Sequence, residues 1–321
     1  MRESTHPAAV PVGTSDLTVF PLGLGTNTFV DPANWSSFAP ILDGFVERGG
    51  TMLDTADMYS YWVPGNVGGE SETIIGEWLA ARGRRDDVVL ATKVAGMPGR
   101  IGLSPENIRR AADESLRRLQ TDYIDLYYAH YPDADTPVAE SVAVFDELVR
   151  AGKVRTVGLS NMTAAQIDEW MRVADENGWA RPVALQPQYS LVSRGFEAEL
   201  ADAAQRHGLA VFPYQVLAGG FLTGKYRTEA DTAGRARAGT VKGFLTPAGL
   251  GVLDVLAEVA AAHDTDSATI ALAWALANPA VTAPLAAATS VAQLDQLFAA
   301  VDVELTASER DALTAASASF A

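Results

Sequence analysis

The chain has 321 residues and not one cysteine. That excludes disulfides and thiolate metal sites, and it fits a reducing compartment. Basic residues are scarce, 24 Lys and Arg against 40 Asp and Glu. The imbalance argues against a nucleic-acid partner and for a soluble, self-repelling surface. No run of about 18 apolar residues occurs, so neither a membrane span nor a membrane partner is expected. The stretch Met1 to Thr18 lacks the apolar core of a signal peptide, which makes the expected location cytoplasmic.

Apolar residues make up 48% of the chain, enough for one large core. The length is ordinary for a single α/β barrel. No linker divides the sequence, so one domain is expected over residues 1–321, with residues 1–14 a flexible N-terminal segment. Apolar runs that read as strands cover 19–24, 52–54, 88–93, 123–130, 154–160, 184–188, 209–215 and 281–288. Helical patterns lie between them. Ser104-Pro105 caps one helix, and Thr163 to Gln166 forms a capping box for another. Residues 217–249 are rich in Gly, Thr and Arg and lack periodicity. A loop of that length in a compact domain is usually functional. Eight apolar strands alternating with helices predict a (β/α)8 TIM barrel, with a long loop covering a ligand after strand 7.

The organising stretch is Gly49 to Tyr59, in which Asp54 ends a strand and Tyr59 follows in the next loop. Lys93, His130, Ser160-Asn161, Gln186 and Tyr214 end other strands. In a barrel these ends share one face, where active sites form. A lysine ammonium beside Tyr59 is expected to lower the phenol pKa, with Asp54 holding the lysine and His130 bonding nearby. Such a group could protonate a carbonyl oxygen as its charge develops. None of these residues supplies a hydride, so a cofactor must. Taken singly, each has a plainer reading as an ion pair, a core histidine or a loop brace. Their convergence on one face is what points to chemistry. Phe29, Trp62 and Tyr131, with Trp35 and Tyr61, are candidates for an apolar substrate pocket, and no metal site is expected.

With Leu22 to Thr26, Gly50 to Tyr59, Ala91-Thr92-Lys93, Asp122 to His130, Gly158 to Asn161 and Gly220 to Tyr226, the chain resembles the aldo-keto reductase superfamily over about residues 15–317. It is similar to bacterial soluble reductases and to the β subunits of potassium channels. The resemblance implies a barrel that binds NADPH/NADP+ and reduces an aldehyde or ketone. It implies a catalytic tetrad of Asp54, Tyr59, Lys93 and His130, with Tyr59 the general acid. It assigns the cofactor to Thr26, Asn27, Asp54, Ser160, Asn161, Gln186 and Tyr214. It further assigns Gln215, Leu217, Ala218, Gly219 and Lys225 as a pyrophosphate belt. Arg235, ten residues beyond Lys225, is a candidate for the adenosine 2′-phosphate, a bidentate contact that suits arginine. Thr289 and Gln293, standing where many members carry an arginine-containing segment, are expected still to bind the adenosine phosphate and base. That arginine is absent, and Leu297 replaces the family asparagine. Two alternatives remain open: a cofactor-binding regulatory subunit with slow turnover, and a Schiff-base enzyme using Lys93. The protein is expected to be a monomer or a homo-oligomer acting on a small carbonyl substrate.

Overall fold

A computed structural model describes residues 9–235 and 237–321. The strands are β1 (Val10–Pro11), β2 (Thr18–Val19), β3 (Gly23–Gly25), β4 (Met52–Asp54), β5 (Val89–Val94), β6 (Ile124–Ala129), β7 (Val154–Ser160), β8 (Pro182–Gln186), β9 (Ala210–Val211) and β10 (Leu285–Ala286). The helices are α1 (Ala39–Glu47), α2 (Glu70–Arg82), α3 (Pro105–Leu119), α4 (Val138–Arg150), α5 (Ala164–Asn177), α6 (Glu199–His207), α7 (Ala238–Lys242), α8 (Pro247–Ala262), α9 (Ser267–Leu276), α10 (Val291–Asp302) and α11 (Ala307–Ala316). No helix among the described residues is long and apolar enough to cross a membrane.

Strands β3 to β10 form one parallel sheet in the order β10-β3-β4-β5-β6-β7-β8-β9. The sheet curls until its ends meet, where the Leu285 amide donates to the Pro213 carbonyl (2.8 Å) and the Thr282 amide to that of Val211 (2.9 Å). This is the (β/α)8 barrel expected from the sequence. Its strands are largely apolar and almost wholly buried because both faces are covered. Inside the barrel lie Met52, Ala91, Leu126, Tyr128, Ala184, Phe212 and Leu285. Outside it, Leu53, Leu90, Tyr127 and Val157 pack against the helices.

The helices obey local chemistry. Ser104 caps α3 by accepting from the Asn107 amide, with Pro105 at its start, and Ile108, Ala111, Ala112 and Leu119 are buried. Thr163 and Gln166 complete the capping box of α5. Helices α2 and α3 approach closely at Gly76, where an added Cβ would lie 2.0 Å from the Arg118 carbonyl oxygen.

Three features differ from the sequence reading. Residues 10–14, expected to be flexible, are ordered: β1 and β2 pair antiparallel, and Val12, Leu17 and Val19 are buried against the barrel interior. The hairpin stoppers the end of the barrel where the strands begin; residues 1–8 lie outside the described residues. The run 19–24 is therefore two strands, one in the plug and one in the wall. Finally, the segment after β9 is not one loop. It holds 3-10 turns at Ala218–Thr223 and Glu229–Thr232, then α7, and Thr246-Pro247 already starts α8.

Candidate active site

The period of two along a strand decides which side chains enter the barrel. Asp54 ends β4 facing inward, and Lys93 on the neighbouring β5 faces it. The Lys93 Nζ lies 2.7 Å from Asp54 Oδ2, 2.7 Å from the Thr55 carbonyl and 3.0 Å from the Tyr59 hydroxyl. All three ammonium protons therefore have an acceptor. The Tyr59 hydroxyl also reaches Asp54 Oδ2, at 3.4 Å. The other carboxylate oxygen, Oδ1, accepts from Gln186 Nε2 at 2.8 Å. Lys93 is fully buried and Asp54 nearly so.

The loop carrying Tyr59 is tied down by its main chain. The Asp57 amide donates to the Lys93 carbonyl (3.2 Å), the Tyr59 amide to Ala56, and the Gly69 amide back to Tyr59. Ser60 follows in the left-handed region, φ 79°, and its Oγ donates to the Phe29 carbonyl at 2.8 Å. That bond helps offset the strain of a non-glycine residue there.

His130 closes the group. Its ring stacks on Tyr131 (centroids 4.3 Å apart) and meets the Tyr59 ring edge-on at 6.3 Å. Burial, and then the nearby Lys93 charge, push the imidazole pKa well below the usual histidine value. The ring is neutral at physiological pH. Burial also lowers the Lys93 pKa, opposed by Asp54.

The phenol departs from expectation. The lysine was expected to lower the Tyr59 pKa. Instead burial raises it well above the ordinary value, and Asp54 raises it further. A phenolate here would lose its hydration and face a carboxylate. Tyr59 is held as a protonated donor.

Ser160, Asn161 and Tyr214 also converge. Ser160 Oγ donates to the Gln186 carbonyl, Asn161 Nδ2 to the His130 carbonyl and to Ser160 Oγ, and the Tyr214 hydroxyl to Asn161 Oδ1 at 2.7 Å. Thr26 points elsewhere. Its Oγ1 donates to the Asp54 carbonyl and bonds Ser71 in a buried chain, so its side chain braces β4. In the belt, Gln215, Ala218 and Gly219 have left-handed backbones, and Leu217 packs on the core. The Lys225 ammonium lies 5.0 Å over the Tyr226 ring. Thr289 bonds Gln293 through its amide and hydroxyl at the start of α10, while Leu297 is buried in the core.

Arg235 lies exposed. Two residues on, Arg237 is mostly buried beside Gly219, and its Nη2 donates to Asn27 Oδ1 at 3.0 Å. Burial lowers its pKa from the usual arginine value. It has no carboxylate partner among the described residues. The sequence reading placed the adenosine 2′-phosphate at Arg235 and did not single out Arg237; nothing in the short Arg-Ala-Arg stretch separates the two.

Of the predicted pocket residues, Trp62 and Tyr131 stand half-exposed at the mouth with Tyr61, and the Trp62 ring lies edge-on to Tyr59 at 6.0 Å. Phe29 does not join them. It is fully buried, with its ring 4.8 Å from Phe38 under the loop. Apolar burial places it in the core.

Residues 21–318 match the model of the aldo/keto reductase family. The chain is 36% identical over 320 residues to the protein tas of Escherichia coli, covering 91% of this chain and 92% of that one. It is 32% identical to the NADH-specific methylglyoxal reductase of E. coli, covering 92% and 94%. It is also 38% identical to the mouse aflatoxin B1 aldehyde reductase member 2, over 64% of this chain and 54% of that one.

Proposed function

The chain belongs to the aldo/keto reductase family, and from that premise we propose that it reduces an aldehyde or ketone to an alcohol, using NADPH and Tyr59 as the general acid. One observation carries the reading. A single buried ammonium lies within 3.0 Å of both a carboxylate and a phenol at the barrel mouth, with a neutral imidazole alongside.

The protonated phenol suits reduction, in which a proton must be delivered to the carbonyl oxygen. Lys93 stabilises the negative charge left on Tyr59 as that proton moves, and Asp54 fixes Lys93. His130, neutral, orients the carbonyl oxygen by a hydrogen bond. The engagement of all three Lys93 protons disfavours the lysine as a nucleophile. Tyr61, Trp62 and Tyr131 favour an apolar carbonyl substrate.

The residues present fit a nicotinamide dinucleotide. Arg237 is a desolvated cation with no carboxylate opposite it among the described residues, as a phosphate site requires. Ser160, Asn161 and Tyr214 would hold the nicotinamide end, with the belt from Gln215 to Lys225 at the phosphates. Bound there, the cofactor supplies the hydride. Arg237 is the basis for preferring NADPH, although one relative is named as NADH-specific.

Fluorescence titration with NADPH and with NADH tests this. Tighter NADPH binding is expected. Arg237→Ala should weaken NADPH about tenfold more than NADH, and Arg235→Ala should leave both nearly unchanged. An equal loss for both cofactors in Arg237→Ala would remove Arg237 from the 2′-phosphate. Binding of neither cofactor by the unmodified protein would sink the reductase reading.

A further inference from the structure

Asp57 sits between Asp54 and Tyr59 in sequence, and the family reading gives it no task. Its side chain is completely buried. Neither carboxylate oxygen has a hydrogen-bond partner among the described residues. A buried carboxyl is ordinarily paired or bonded, so an unpartnered one beside an active loop calls for an account.

Its surroundings form a second polar layer, on the helix side of the barrel wall. Thr92, adjacent to Lys93 on β5, faces outward and donates to Glu72 Oε1 of α2. Glu72 Oε2 accepts from Arg118 of α3 at 2.6 Å. Arg100, in the loop after β5, and Arg118 both reach Glu114, at 2.8 and 3.8 Å. Tyr127 on β6 contributes a buried hydroxyl that also lacks a partner. The layer is joined to the catalytic strand by the Asp57 amide, which donates to the Lys93 carbonyl.

We propose that Asp57 is a positioning residue for the tyrosine–lysine pair: the charge on its carboxyl group sets the field behind Lys93 and the seating of the loop that carries Tyr59. The proposal rests on the reductase reading of Tyr59 and Lys93.

The groups that act on Asp57 come from every element around it: Glu72 from α2, Arg118 from α3, Arg100 from the β5 loop, Tyr127 from β6 and Lys93 from β5. Burial, then Glu72, push its carboxyl pKa up to about 7. The two arginines oppose them. The Met58 amide pulls weakly the same way, without reaching hydrogen-bond geometry. The carboxyl thus changes charge near neutrality. When ionised it favours the Lys93 ammonium, the cation that stabilises the charge left on Tyr59 as its proton moves. When neutral it does not. Carbonyl reduction is therefore faster on the alkaline side of this titration.

The test is the pH profile of kcat for carbonyl reduction in the unmodified protein and in Asp57→Asn, which keeps the shape and removes the titration. From pH 6 to pH 8 the Asp57 titration is expected to raise kcat of the unmodified protein about fivefold relative to the variant. The same pH profile in both overturns the proposal. Infrared difference spectra supply a second readout that needs no variant to fold. A protonated-carboxyl C=O band should be present in the unmodified protein at pH 6 and gone at pH 9; its absence at pH 6 also overturns the proposal. Full activity in Tyr59→Phe would instead bring down the reductase reading and the proposal with it. A failure confined to Asp57 leaves that reading intact.

Discussion

The Lys93–Asp54 pair makes a prediction in which stability and activity part company. Both side chains are buried, 0% and 3% exposed, with Nζ and Oδ2 2.7 Å apart. Lys93→Met would leave the Asp54 carboxylate, among the described residues, with Gln186 Nε2 at 2.8 Å and the Tyr59 hydroxyl at 3.4 Å. Asp54→Asn would leave an ammonium facing the Thr55 carbonyl and a phenol. Removing one member of a buried pair strands the other charge, at about 3–5 kcal/mol. Removing both strands nothing, and such replacements are often close to neutral. The double variant should therefore be more stable than either single variant, with a coupling energy of about 3 kcal/mol or more. Urea denaturation of all four proteins, followed by tryptophan fluorescence and circular dichroism, measures the cycle. Carbonyl reduction should stay abolished in the double variant, since no cation remains to support Tyr59. A double variant that loses the sum of the two single losses would refute the electrostatic reasoning.

Three further outcomes are expected. Tyr59→Phe should lower kcat by about 10²–10⁴ with little change in cofactor affinity; unchanged kcat would remove Tyr59 as the acid. Phe29→Ala should cost about 3–5 kcal/mol of stability without specifically raising KM, whereas Trp62→Ala should raise KM for apolar carbonyls and barely affect stability. Asp57→Asn should stabilise the protein at alkaline pH. Below pH 3.8 the carboxyl is neutral in both folded and unfolded chains. Between 3.8 and about 7 only the unfolded chain ionises, so the cost of Asp57 grows with pH and is complete above about 7. The rise from 3.8 to about 7 sets an upper limit of about 4 kcal/mol. A gain equal at pH 4 and pH 8 would contradict it.

Much of this molecule was legible in its sequence because the wall strands are covered on both faces and read as largely apolar runs. Residues 88–91, Val-Val-Leu-Ala, are the plainest case. The strand-end polar residues stood out against those runs, and the barrel gathers them as expected. Other features depend on packing that a linear pattern does not encode. Phe29 and Trp62 are both loop aromatics; contact with Phe38 buries the first, and the second stays at the mouth. Arg235 and Arg237 differ only in which way a turn presents them. The Tyr59 phenol was misjudged because the lysine's presence was visible and the depth of burial was not. The plugging hairpin was missed because two-residue strands carry no periodicity.

The barrel is closed by residues from opposite ends of the chain. Gly23 pairs with Leu285, and the plug that contributes Val12 rests on Val183 and Ala283. During synthesis the first strand and the stopper leave the ribosome long before their neighbours exist. Until residue 285 has emerged, the growing sheet has two open edges and an unfilled inner face, features that invite association between chains. The seam that completes the barrel therefore forms late, with α10 and α11 still to pack behind it, and yield in recombinant expression should respond to temperature and chaperone supply more than to substitutions at the barrel mouth.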